Sequence, residues 1–145
     1  MDLKVSTTSR YGLRALIDLA AHSHSSYVSL ASIAERQKIS QKYLESIFKI
    51  LAKAGIVRAV KGAYGGYKIV DEALQISVKK ILEILESNLK ALSPQSDDHF
   101  DRFIEEFLWQ RLTLRIENLL DSITLKDLVR EYTEIMEPNS LMYYI

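Results

Sequence analysis

The chain of 145 residues contains no cysteine. Thiolate metal sites, iron–sulfur clusters held by cysteine, disulfides and thiol catalysis are therefore excluded for this chain. Long apolar runs are also missing, since none approaches the roughly 20 residues of a membrane-spanning helix. The beginning of the chain, M-D-L-K-V-S-T-T, lacks the apolar core of a secretory signal. We therefore expect a cytoplasmic protein without a membrane segment.

The chain also lacks net charge, because 19 Lys and Arg residues balance 19 Asp and Glu residues. The balance hides an asymmetry: residues 1–70 carry 11 basic and 4 acidic side chains, whereas residues 71–145 carry 8 and 15. A basic half beside an acidic half favours a nucleic-acid-binding half joined to one that stays away from phosphates. The alternative is a chance segregation of charges on solvated faces.

Glycine and proline are scarce, and the clearest helical pattern covers residues 40–55. Ser40 suits the N-cap of this helix, and Gly55 suits the left-handed position that ends it. An apolar stripe with the spacing i, i+3, i+4 and i+7 predicts one buried face. The stripe consists of Leu44, Ile47, Phe48 and Leu51. The opposite face is polar and rich in lysine, which suits base edges flanked by phosphates.

Two helices precede this one, of which the second is short, and a β-hairpin follows it. Thr7 or Thr8 can cap a first helix that runs to about residue 21, and Ser29 can cap a second. Gly12 inside the first helix indicates a close contact with another helix. The β-rich runs 56–60 and 67–70 flank K-G-A-Y-G-G, which predicts a hairpin. A helix-turn-helix followed by a hairpin is a winged helix.

The rest of the chain predicts a closing helix, a linker and an assembly element. Ser77 can cap the helix that closes a winged domain of residues 1–86, and residues 87–99 have the composition of a linker. The helical pattern of residues 100–123 is too apolar for one small domain to cover, so we expect a homodimer joined through a long helix, with residues 100–145 as the helical dimerisation region. Thr124 and Asp127 predict a capping box for the last helix. The predicted dimer interface is Phe103, Ile104, Phe107, Leu108, Leu112, Ile116, Leu119, Leu120 and Ile123.

The fold class is therefore mainly α with a small β-hairpin, namely a winged helix-turn-helix domain plus a long C-terminal dimerisation helix. No nucleophile–base pair or metal-ligand cluster supports an enzyme. His22 and His24 close the first helix, where a cation favours the helix dipole, and His99 stands alone. Trp109 and the tyrosines at 143 and 144 fit packing better than ligand binding. We expect no catalytic residue, no metal and no cofactor.

Four motifs resemble the Rrf-two family of bacterial winged-helix regulators. They are S-T-T-S-R-Y-G-L at 6–13, S-L-A-S-I-A at 29–34, I-S-Q-K-Y-L-E at 39–45 and K-G-A-Y-G-G-Y at 61–67. Residues 108–128 and the aromatic end are most similar to the CymR-type repressors of cysteine metabolism. Cluster-binding members would carry three cysteines within 87–99, and this chain has none there.

The resemblance implies a homodimer on a palindromic operator in double-stranded DNA, with the helix from Ser40 in the major groove and the hairpin tip along the backbone or minor groove. It also implies a repressor of genes of cysteine or sulfur metabolism. Lys61 stands where many members have arginine, which puts the reading of bases at the wing in doubt. The candidate DNA-binding residues are Arg10, Ser29, Ser40, Gln41, Lys42, Tyr43, Glu45, Lys49, Lys61, Gly62, Tyr64, Gly65, Gly66 and Tyr67.

Three alternatives stay open. Tyr43 can belong to the core instead of the DNA face, and Glu45 can be a surface charge paired with a neighbouring lysine. The whole chain can instead be a regulatory interaction module that binds a metabolic enzyme such as cysteine synthase, with DNA binding secondary.

Overall fold

The computed structural model of the chain describes residues 5–23, 26–86 and 98–137. Its elements are α1 (Thr7–His22), α2 (Leu30–Gln37), α3 (Gln41–Lys53), β1 (Val57–Val60), β2 (Gly66–Ile69), a 3₁₀ turn (Asp71–Gln75), α4 (Val78–Leu85), α5 (His99–Ile104), a π-helical turn (Glu105–Trp109), α6 (Gln110–Ser122) and α7 (Leu125–Met136). The described chain is thus mainly helical with one antiparallel hairpin, so the predicted fold class is confirmed. None of the described helices combines the length and the apolar composition that a membrane-spanning segment requires.

The first four helices begin where serine hydroxyls accept backbone N–H groups. The prediction for α1 was wrong by one residue, because Ser6 rather than Thr7 or Thr8 is its cap and accepts the Ser9 amide at 3.1 Å. The other three serine caps are confirmed. Ser29, Ser40 and Ser77 each accept the amide three residues further on. These caps satisfy donors that would otherwise be left without a partner at the helix ends.

The core lies where the first four helices meet the hairpin. All four residues of the α3 stripe are buried, as the spacing predicts, and α4 buries its apolar face against the same core. A Cβ atom at Gly12 would lie 2.6 Å from Cδ1 of Leu85, which confirms the close contact predicted at this glycine. Gly55 has a φ of 79°, the left-handed conformation expected after α3.

The hairpin is tied to the segment that precedes α2. β1 and β2 pair from Val57 with Ile69 to Val60 with Gly66, one residue away from the predicted bounds. The amide of Val28 donates to the Tyr67 carbonyl at 2.8 Å, and the Tyr67 amide donates back at 2.7 Å. A Cβ atom at Gly66 would collide with the Val28 carbonyl, so this position requires glycine.

The C-terminal helices divide into an exposed part and a docked part. The backbone angles at the joints between α5, the π-helical turn and α6 are right-handed helical, so the chain continues from one element to the next without a break. None of the described residues 98–124 is fully buried. In contrast, α7 packs against α1, and Leu125 is completely buried in the core. The capping box of Thr124 and Asp127 is confirmed by reciprocal bonds of 3.0 and 3.1 Å.

The predicted domain boundaries stay predictions. Most of the predicted linker, residues 87–97, lies outside the described residues, and α5 begins at His99. His24 and the two C-terminal tyrosines also lie outside them.

Candidate nucleic-acid interface

The polar face of α3 is open to solvent along its whole length. Gln41, Glu45 and Lys49 follow one another at four-residue spacing, with Lys42 beside them, and all four are exposed. The opposite face of the helix is anchored in the core by the buried stripe. A helix held in this way presents amide, carboxylate and ammonium groups in one row. Such a row suits the major groove, which admits a single α-helix.

Tyr43, a candidate DNA contact, is half-buried between α3 and α1. Its hydroxyl lies 3.0 Å from Oγ1 of Thr8, and its ring meets the edge of the Tyr11 ring at 5.9 Å. These contacts favour the alternative in which Tyr43 packs against the core. The contribution of Tyr43 to DNA binding stays a prediction.

The hairpin tip combines an exposed aromatic ring with exposed charge. Tyr64 is 97% exposed, and Lys61 and Gly62 are exposed beside it. Gly62 has a φ of 122°, and its carbonyl accepts the Gly65 amide at 3.0 Å, which closes the turn. The glycines therefore determine the turn at the tip, and the side chains of Lys61 and Tyr64 are accessible there.

Other candidate residues are occupied in building the fold. The Tyr67 ring packs edge-on against Phe48 at 4.8 Å, and the Ser29 and Ser40 hydroxyls cap their helices. A Cβ at Gly65 would collide with the Val60 carbonyl, as one at Gly66 would with Val28. Arg10 is exposed, and its Nε donates to the Val5 carbonyl at 3.1 Å. The DNA-binding role of these residues also stays a prediction.

The structure reveals a buried carboxylate behind the interface that the sequence reasoning missed. The Asp18 side chain is 1% exposed and accepts hydrogen bonds from Arg36 at 2.7, 3.0 and 3.1 Å. It also accepts one from Nε2 of Gln37 at 2.7 Å. Hydrogen bonding to Asp18 raises the pKa of Arg36 above its ordinary value. The signal in the sequence was an acidic residue inside the apolar run L-I-D-L-A.

The turn between α2 and α3 contains an unusual backbone conformation. Lys38 has a φ of 56°, and it is the one non-glycine residue with positive φ in the described ranges. Its amide donates to the Ala34 carbonyl and ends α2. Lys38 is exposed close to Ser40 and adds a positive charge to the interface that the sequence analysis did not include.

A second carboxylate holds the beginning of α1. Glu86, at the end of α4, accepts the Ser6 amide at 2.9 Å and the Ser9 hydroxyl at 2.8 Å. Hydrogen bonding to Ser6, with a smaller contribution from Ser9, holds the pKa of the Glu86 carboxyl below its ordinary value. A carboxylate at a helix N-terminus also complements the helix dipole.

The residues of the predicted dimer interface separate into two groups. Phe103, Phe107, Leu108 and Leu119 are exposed, and Phe100 and Leu114 extend the exposed group. The Phe103 and Phe107 rings stack at 5.7 Å. The half-buried group is Ile104, Leu112, Ile116, Leu120 and Ile123. Because α6 packs on α4 of the same chain, the exposed group is the one that no described residue covers.

Comparisons with known proteins place these features in a family. A family model described as Rrf2, iron-dependent transcriptional regulator, matches residues 5–131. The regulator IscR of Vibrio vulnificus is 36% identical over 138 residues, which cover 93% of this chain and 82% of the relative. The regulator CymR of Bacillus subtilis is 36% identical over 143 residues, which cover 99% of this chain and 100% of the relative.

Solved structures show the same fold. The structure of CymR, the global cysteine regulator of B. subtilis, matches with a TM-score of 0.78 at 35% identity, over 90% of this chain and 98% of the other. T. potens IscR matches with a TM-score of 0.74 at 41% identity, over 93% of this chain and 92% of the other.

The donor groups of this chain do not fit the iron named in the family description. With no cysteine, the chain cannot supply thiolate ligands to a cluster. Within the described residues, no three His, Asp or Glu side chains form a group that could hold a metal ion. His22 lies at the rim of the Asp18 network, with Nδ1 2.7 Å from the Asp18 carbonyl oxygen.

Proposed function

Because the chain belongs to the Rrf2 family of DNA-binding transcriptional regulators, we propose that it is a repressor that binds a palindromic operator as a homodimer and does not use an iron–sulfur cluster. The observation that carries this proposal is the exposed polar face of α3 opposite its buried stripe. The hairpin lies beside it as a wing with an exposed tip.

The four exposed residues of the polar face of α3 have a chemistry that suits a DNA groove. The Gln41 amide can pair with adenine, and the Glu45 carboxylate can accept from cytosine N4. Lys42 and Lys49 can neutralise phosphates. Phosphate contacts position the helix, and contacts to base edges give it specificity.

The wing supplies charge and an aromatic ring. Lys61 carries a compact charge that suits a phosphate better than the bidentate recognition of a base. Tyr64, exposed at the tip, can pack against the sugar–phosphate backbone or the minor groove. We therefore assign the wing to positioning and α3 to sequence reading.

The homodimer is supported by the uncovered apolar side chains of the long helix. Phe103 and Phe107 are 60% and 61% exposed, and Phe100 and Leu114 are exposed with them. Apolar surface of this kind marks an interface. We place the dimer contact on these four residues together with exposed Leu108 and Leu119, because Leu112 and Ile116 are half-buried on a helix that packs against α4. A two-fold dimer presents two α3 helices to two half-sites.

Control of cysteine or sulfur metabolism is the target that we propose. The support is the B. subtilis relative, whose solved structure is described as that of the global cysteine regulator and which aligns with almost the whole chain.

A second candidate function is binding of a metabolic enzyme, such as cysteine synthase, through the acidic half. Ile135 and Met136 are 72% and 61% exposed at the end of α7, beside exposed Glu131 and Glu134. An apolar patch with acidic neighbours suits a protein partner.

Selection of DNA from a random-sequence pool tests the main proposal. The wild-type chain should enrich a palindromic duplex, bind it as a dimer in sedimentation analysis, and lose affinity steeply as salt rises. Enrichment of no sequence, or binding that does not change with salt, would contradict it. Retrieval of a sulfur-metabolism enzyme by a chain that enriches no sequence would instead support the second candidate.

A further inference from the structure

One face of α1 carries polar and aromatic side chains at intervals of about one turn. We call Thr8, Tyr11, Arg14 and Asp18 the α1 clamp. Each member contacts the helix-turn-helix. Thr8 and Tyr11 contact Tyr43 of α3, whereas Arg14 and Asp18 contact residues at the end of α2. The α1 clamp therefore contacts both helices that flank the turn.

We propose that Asp18 is a positioning residue for DNA recognition, which acts through Arg36 and Gln37 to fix the turn that leads into α3. The proposal rests on the DNA-binding function proposed above. Asp18 itself is buried and therefore cannot touch DNA.

The geometry of the Asp18 network is suited to this task. The Arg36 guanidinium approaches both carboxylate oxygens through Nε, and its Nη2 donates to Oδ1 at 2.7 Å. Two planar groups joined by several bonds have little freedom to rotate. A buried ion pair of this kind contributes weakly to stability, because desolvation offsets the attraction. The bonds to both carboxylate oxygens fix the position of the Arg36 guanidinium against α1.

Gln37 transmits the constraint to the backbone. Its side-chain amide donates to Asp18 at 2.7 Å and accepts from Nε of Arg14 at 3.2 Å. Its backbone carbonyl accepts from Nη2 of Arg14, also at 3.2 Å. Both the side chain and the backbone of Gln37 are thus held from α1. The next residue, Lys38, adopts the left-handed conformation that turns the chain toward α3.

Two substitutions at opposite ends of the ion pair separate positioning from electrostatics. Asp18→Asn makes the protein more positive, and Arg36→Met makes it more negative. An effect of charge alone would tighten DNA binding in the first variant and weaken it in the second. Positioning predicts that both variants lose affinity for the duplex selected by the wild-type chain, on the order of 10-fold, the size of one mismatched base pair. Binding to a shuffled duplex of the same composition should change much less.

A matched variant separates positioning from stability. Leu125→Ala removes a fully buried side chain of α7 that is not part of the network. All variants are compared at a temperature at which circular dichroism shows them fully folded. Leu125→Ala should keep the wild-type ratio of selected to shuffled affinity. The proposal is overturned if Leu125→Ala lowers this ratio as much as the other two variants, or if those two shift affinity in opposite directions.

Hydrogen exchange of the free protein keeps the test independent of the operator. If the wild-type chain selects no duplex, the proposed function fails, and positioning is judged on exchange alone. Peptides that cover residues 37–43 should exchange faster in Asp18→Asn and Arg36→Met than in Leu125→Ala. Equal rates in the three variants would overturn the role of Asp18.

Discussion

The two regions of the described chain differ in how much of their apolar surface is buried. They are the winged region, residues 5–86, and the helical region, residues 98–137. Among the described residues, 18 of the 19 buried apolar side chains belong to the winged region, and Leu125 is the exception. Of the large apolar side chains left exposed, three lie in the winged region and eight in the helical region. The winged region therefore supplies nearly all of the core, whereas the helical region has apolar surface that no described residue covers.

This difference in burial indicates which interactions stabilise each region. The winged region is held by core packing, by serine caps and by the hydrogen bonds of the Glu86 carboxylate to Ser6 and Ser9. The helical region is held to it mainly through α4–α6 contacts and through Leu125. In the proposed homodimer its outer face gains burial from the second copy, since exposed aromatic side chains give little stability in water.

The largest effect is expected from a charge placed on the uncovered face. Phe107→Asp should convert the proposed dimer to a monomer, because it removes a large apolar side chain from the contact and places a charge there that must lose its water. Loss of the second half-site should weaken operator binding by about 10² to 10⁴. Sedimentation and DNA titration measure the two losses, which we expect to occur together.

Thr113→Asp is the matched control for this prediction. Thr113 is exposed on α6 next to Leu114, so the variant adds the same charge without removing an apolar group. It should remain a dimer and keep its operator affinity. A Phe107→Asp variant that still sediments as a dimer would place the interface elsewhere and break the contrast between the regions.

The sequence predicted the winged region well because its signals are local. Serine caps, the α3 stripe and the left-handed Gly55 each depend on a few neighbouring residues, and the structure confirms them. The four motifs likewise led to the Rrf2 family, which the comparisons confirm. The wrong cap of α1 was an error among adjacent hydroxyl residues with similar capping ability.

The features that the sequence did not reveal depend on contacts between distant residues. Asp18 meets partners 18 and 19 residues away, and Glu86 meets Ser6 and Ser9 across most of the winged region. Periodicity also could not separate the covered from the uncovered residues of the long helix. That separation depends on where α4 packs, which no local pattern encodes.

A smaller effect on stability is expected at Glu86, which joins the end of α4 to the beginning of α1. Glu86→Gln should lower the free energy of unfolding by about 1 kcal/mol at neutral pH, because the hydrogen bonds to Ser6 and Ser9 lose their charge. Because the pKa of Glu86 is lower in the folded than in the unfolded chain, the ionised carboxylate stabilises the fold. This contribution to the free energy of unfolding is complete above the ordinary pKa of glutamate. It is lost as the pH falls through the folded pKa.

Urea unfolding at a series of pH values measures this effect. The stabilities of wild type and Glu86→Gln should converge in acid. Glu83→Gln, at an exposed position on the same helix, should keep the wild-type stability at neutral pH. A constant difference between wild type and Glu86→Gln at every pH would assign the effect to packing rather than to ionisation.

The smallest effect is expected at Lys38, where the winged region carries local strain. A left-handed residue with a Cβ is disfavoured by about 1 kcal/mol, and glycine relieves this cost but loses more entropy on folding. Lys38→Gly should therefore raise the free energy of unfolding by about 0.5 kcal/mol, whereas Lys38→Ala keeps the strain and should not. Both variants lose the same charge and should weaken DNA binding equally, with a reduced salt dependence. Urea unfolding and DNA titration of the two variants separate backbone strain from charge. Equal free energies of unfolding for Lys38→Gly and Lys38→Ala would contradict the prediction that the Lys38 backbone is strained.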